Sequence, residues 1–127
     1  MAIAFLIGRI IFGVYFIMGG FNHFAKLDFM SGYAKAKGAP APKLAVGGSG
    51  VLLILGGLSM LLGIAPVIGI ILLIIFLLGV TPVMHAFWEV DDPMARMGEM
   101  MNFMKNMALF GALLMMLAIA RPWPFSL

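Results

Sequence analysis

The sequence has no cysteine, five carboxylates and two histidines in 127 residues. Without cysteine there is no disulfide, thiolate metal site or dithiol couple, so any electron chemistry must be done by something bound. Charge is scarce too. Only 10% of residues are Asp, Glu, Lys or Arg, against roughly a quarter in water-soluble domains, which excludes an ordinary soluble fold. The net charge of +3 gives no indication of nucleic acid as a partner. What is abundant is apolar: 64% of the side chains, for a mean hydropathy of +1.15. The expected solvent is the lipid membrane.

Cutting the chain into apolar runs of about 20 residues, the length that spans a hydrocarbon core, predicts four helices over approximately 3–21, 44–62, 66–88 and 93–120. The reading is a single all-α integral membrane domain over 1–127, a four-transmembrane-helix bundle. The first run is long enough to span, so it reads as a retained helix and not a cleaved leader. Gly63 just past the second run and Pro66 at the first turn of the third predict a tight helical hairpin. Asp92 followed by Pro93 is the expected cap of the fourth. In the connection between the first two runs, Asp28 is expected to cap a short interfacial helix with Phe29, Met30 and Tyr33 on one face and Lys35 opposite.

Lys26, Lys35, Lys37, Lys43, Arg96 and Lys105 lie in or beside connections one and three, against Arg9 and Arg121 towards the other face. The positive-inside rule then puts those connections in the cytoplasm and both termini outside, in a prokaryotic-type plasma (inner) membrane.

Four of the five carboxylates fall between Met84 and Asn106. With alternating helices, His23, His85 and the polar start of the fourth helix meet at one end and form a polar vestibule. His85 and Glu89 are four residues apart and touch if the helix continues through both. On the fourth helix Glu99, Asn102 and Asn106 share a narrow arc, with Met94, Met97, Met100, Met101, Met104 and Met107 roughly opposite and Lys105 between. Asn is costly in hydrocarbon unless paired, so the Asn arc is expected to face inward. Arg9 has no carboxylate on its own side and is expected to snorkel to lipid phosphate. Its stripe with Gly13, Phe16, Gly20 and His23 is the expected packing face.

These residues admit several chemistries. The asparagines and histidines can be plain interhelical hydrogen-bonders. The M-x-x-M spacing suits Cu(I), yet Met also fills irregular apolar gaps. The histidines could be axial haem ligands, and His85, Glu89 and Asp92 could bind a generic metal. Ranked above these metal readings is a quinone-like lipid whose headgroup sits in the vestibule. Asn22, His23, Asn102, Lys105 and Asn106 would bind it, and His85 beside Glu89 would deliver protons.

The order of R-x-x-x-G (Arg9, Gly13), GGFNHFAKL, PVMHAFW (Pro82, His85, Trp88), the acidic connection, FMKNMAL around Lys105 and Asn106, and RPWPFSL resembles the DoxX family of small four-helix membrane proteins. Related sequences often carry a basic or other polar residue near the end of helix one, where this chain has Asn22 and His23. The resemblance implies a membrane component of a quinone-linked oxidoreductase or oxidative-stress system, with a protein partner or as a homo-oligomer. It also implies that His85, Lys105 and Asn106 are site candidates, and that Arg9 is structural or faces an anion. Whether the chain is itself an enzyme stays open, and the competing expectation is a non-catalytic accessory or scaffold subunit of a larger membrane complex.

Overall fold

The computed structural model describes all residues 1–127 and is entirely helical: α1 (Ala2–Ala25), α2 (Leu27–Ala36), α3 (Pro42–Leu62), α4 (Pro66–Met84) and α5 (Pro93–Met116), with one 3-10 turn at Phe87–Glu89. Three stretches are long and apolar enough to cross a membrane: Ala2–Ala25, Pro42–Leu62 and Pro66–Glu89. α5 is not among them, because Arg96, Glu99, Asn102, Lys105 and Asn106 crowd its first half.

α1 buries Arg9, Gly13, Phe16 and Gly20, steps of four, three and four residues that keep one face of a helix against a neighbour. That neighbour is α3, and glycine sets how close it comes. A Cβ built on Gly13 would meet the Gly57 carbonyl oxygen at 2.8 Å, and one on Gly20 would meet that of Gly50 at 2.8 Å. The pairs run in opposite directions along the two helices, so α1 and α3 are antiparallel with their backbones nearly touching.

α3 turns into α4 through Gly63, whose φ of 72° is the left-handed cap that glycine adopts without steric cost. Pro66 opens α4, and the Ser59 hydroxyl donates to the Ile64 carbonyl at 2.6 Å across the turn. Gly56 lies under Leu73 and Gly69 under Ser59, so this pair is antiparallel as well. α5 returns along α4, joined by Asn106 and Thr81. Asp92 caps α5 by accepting from the Ala95 amide at 2.9 Å.

The core is Phe16, Leu53, Met60, Ile70, Leu73, Leu77, Leu113 and Trp123. Trp123 belongs to the segment after α5, which folds back over the end of the bundle formed by the start of α1 and the α3–α4 turn. Its ring stands edge-on to Phe5 at 5.1 Å, and the Leu127 amide donates to the Leu62 carbonyl. Arg9 is the anchor, only 4% exposed. Its guanidinium donates to the carbonyls of Met60, Leu61, Pro124 and Phe125 and lies within 6 Å of the Phe5 and Trp123 rings. It does not snorkel, because the free carbonyls at the end of α3 and those of the folded-back segment already supply its acceptors.

Two further expectations change. α5 ends at Met116 and not near 120, since the segment beyond it turns to dock on Arg9. Lys26 and not Asp28 stands at the cap position of α2. Asp28 lies in its first turn and pairs with Lys43 at 3.3 Å.

Candidate functional site

At the end of the bundle opposite Arg9, the helices form a partly open cavity of about 1090 Å³. Glycine and small residues leave the space: Gly19 on α1, Gly48 and Ser49 on α3, and Gly79 on α4 all line it. α2 lies across this end and contributes Phe29, Met30, Tyr33 and Ala34 to the wall. The face that the sequence assigned to the membrane interface therefore also lines the cavity.

The polar lining is sparse. It consists of Tyr15, Asn22, His23, Tyr33, Ser49, His85, Lys105 and Asn106, with no carboxylate. His23 is held by its own helix, its Nδ1–H donating to the Gly19 carbonyl at 2.7 Å. Lys105 Nζ lies 6.0 Å from the centre of the Tyr15 ring and makes no ion pair with any of the five carboxylates of the chain. Asn106 is buried and donates through Nδ2 to the Thr81 hydroxyl at 3.2 Å, so its carbonyl oxygen keeps acceptor capacity.

His85 does not pair with Glu89. α4 ends at Met84, and His85 leaves helical geometry at φ −121°, ψ 39°. Glu89 then falls in the exposed 3-10 turn, and the i,i+4 relation is lost. The carboxylate that meets His85 is Glu99 on α5, with Oε2 at 3.2 Å from Nδ1. Lys37, just past α2, approaches the same oxygen at 3.7 Å. Glu99 thus ties three segments together at the rim of the cavity. The arc of Glu99, Asn102 and Asn106 carried the signal for it, since Asn106 turns that arc towards α4.

Of the residues singled out from sequence, Asn22, His23, His85, Lys105 and Asn106 come together on this cavity, whereas Glu89 and Asn102 do not line it. His85, Glu89 and Asp92 form no cluster with the makings of a metal site. Pro82 sits inside α4, two residues before its end. The methionine arc faces outward, with Met94, Met97, Met101 and Met104 all more than half exposed. Tyr15 and Ser49 were not singled out from sequence, and Lys37 only as a basic residue of the first connection, because an isolated polar residue has no periodic signal until its neighbours are known.

The family model for DoxX matches residues 4–86, which takes in α1 to α4 and stops just past His85. The chain belongs to the DoxX family. α5, with Glu99, Lys105 and Asn106, lies beyond that match. The inner membrane protein YphA of Escherichia coli (strain K12) is 33% identical over 122 residues, covering 96% of this chain and 86% of YphA. No solved structure matches the sequence. This DoxX protein is thus an all-helical membrane protein whose cavity wall is built in part by α5, outside the segment that the family model matches.

Proposed function

We propose that this DoxX protein is the membrane component of a quinone-linked oxidoreductase or redox system and that its cavity binds a quinone-like lipid. The observation that carries this is the cavity itself. It offers about 1090 Å³ lined mostly by apolar side chains, with two imidazoles, an ammonium and two carboxamides among them. A lipid with a flat polar ring and an apolar tail needs an apolar slot and a few convergent hydrogen-bonding groups. The chain carries no redox centre among its own side chains, so electrons would come from a partner protein.

In this reading α5 is the fourth span, its polar first half held through Glu99 to His85 and Lys37 and through Asn106 to Thr81 of α4, and its apolar second half packed on the core through Leu113. The membrane is the inner membrane, as the name of the YphA relative says of that protein. The connections holding α2 and the 3-10 turn face the cytoplasm, and both termini lie outside. Gentle purification followed by lipid extraction should yield bound quinone. Its absence, together with unchanged quinone affinity in His85→Ala, would remove the proposal.

The outward methionine face supports a second reading, a non-catalytic accessory subunit that uses this face to hold a larger complex or a homo-oligomer together. Met is flexible and polarisable and suits adaptable contacts. A stable partner whose activity survives His85→Ala but is lost when Met97, Met101 and Met104 are replaced by Trp would favour it.

A further inference from the structure

His23 stands on α1 and His85 just past the end of α4, yet each is held at the same ring nitrogen by an acceptor. The Nδ1 of His23 lies 2.7 Å from the Gly19 carbonyl oxygen, which can only accept. The Nδ1 of His85 lies 3.2 Å from Glu99 Oε2, and that oxygen is also the ion-pair partner of Lys37. A neutral imidazole carries one N–H, and here both partners draw it to Nδ1. In that neutral form both Nε2 atoms are bare lone pairs. Neither makes a hydrogen bond within the protein, and neither is sealed from the space around it.

We propose that the cavity is built for the dihydroxy form of a quinone-type lipid, the quinol, in preference to the dicarbonyl quinone. This rests on the reading of the cavity as a quinone-lipid site and adds which redox state it selects. A quinone offers only acceptors, and against two Nε2 lone pairs it leaves acceptor facing acceptor. A quinol offers two O–H donors, one for each imidazole. Its hydroxyl oxygens still accept, which suits Lys105 and Asn22, and no carboxylate lines the cavity to compete for the O–H groups. Glu99 is a positioning residue in this scheme: it does not line the cavity but holds the Nδ1 of His85 and so sets the tautomer of that ring.

The test uses the purified full chain in lipid nanodiscs with three probes: a short-chain benzoquinol under reducing buffer, the corresponding benzoquinone, and the O,O-dimethyl ether of the quinol. Two hydrogen bonds of ordinary net strength should favour the quinol by about tenfold in Kd, with the ether no tighter than the quinone. Glu99→Gln places a carboxamide that can donate towards Nδ1, so the preference should shrink to about threefold as one of the two bonds is lost. The circular dichroism should not change, and the ¹⁵N signals of the His85 ring should move from a protonated Nδ1 to mixed tautomers. Quinone binding as tight as quinol binding, or a wild-type His85 protonated at Nε2, would overturn the proposal while leaving the quinone-lipid reading intact. Failure of all three probes to bind would overturn both.

Discussion

Asn106 on α5 donates its Nδ2–H to the hydroxyl of Thr81 on α4 at 3.2 Å, and both side chains are buried. This bond sets the register of the two helices and so decides which residues of α5 reach the cavity. Thr81→Val and Asn106→Leu should each weaken the α4–α5 contact by about 0.6–1 kcal/mol, the usual range for an interhelical hydrogen bond in a membrane protein. The double variant should cost less than the sum of the two. Unfolding in mixed detergent micelles would measure the coupling, and strict additivity would show that the bond does not stabilise the fold.

Glycine contacts should divide sharply by position. Gly57→Ala puts a Cβ 2.8 Å from the Gly13 carbonyl oxygen and 2.7 Å from the Ile17 side chain, so α1 and α3 must separate, at about 1–3 kcal/mol for overpacking. Gly8→Ala meets nothing within 4 Å and should be neutral or stabilising by up to about 1 kcal/mol, the ordinary helix gain. Melting temperatures of the two variants in one detergent would separate these outcomes.

The two acidic residues near His85 should behave differently. Glu89→Gln alters an exposed 3-10 turn and should leave ligand affinity within twofold of wild type, whereas Glu99→Gln removes the charge that holds His85 and Lys37. Titration with short-chain quinol tests both. A loss confined to Glu89→Gln would move the chemistry to the turn.

Asp92 should act through its cap alone. Asp92→Asn keeps an acceptor for the Ala95 amide and should be nearly neutral, whereas Asp92→Ala should cost about 1 kcal/mol. Amide exchange in the first turn of α5 reports this directly, rising in the alanine variant only.

Short-range features of this fold were legible in the sequence. The α1 stripe and the Gly63–Pro66 hairpin depend on residues within one or two turns of each other, and the inward Asn arc follows from the cost of an unpaired carboxamide in hydrocarbon. The end of α4 was not legible. The apolar run continues through Phe87 and Trp88 while the backbone leaves the helix at His85, and hydropathy does not register that change. The partner of His85 depended on this break and on the α4–α5 register, so spacing along one helix pointed to Glu89 in place of Glu99. The docking of Arg9 on carbonyls 115 and 116 residues away is a tertiary event with no local pattern. One signal beyond α5 could have been used: Pro122 and Pro124 disfavour helix in the residues before them, which argues for a folded-back segment.

The Arg9 cluster should fail as a unit. Arg9→Met leaves four carbonyl groups without their donor and should cost on the order of 3 kcal/mol, since each acceptor left unsatisfied in a buried place is costly. Arg9→Lys should recover only part of this, because an ammonium lacks the planar fork. In both variants amide exchange at Leu127 should rise as its bond to Leu62 opens.

The same cluster makes the molecule one-ended. His23 and His85 line the cavity at the end of the bundle away from Arg9, while Met60, Ile70, Leu73, Leu113 and Trp123 pack in the core without lining it and Arg9 stitches the closing segment over them. His23 and His85 therefore stand at one mouth of the bundle, and the folded-back RPWPFSL segment, pinned by the Arg9 guanidinium, plugs the opposite end.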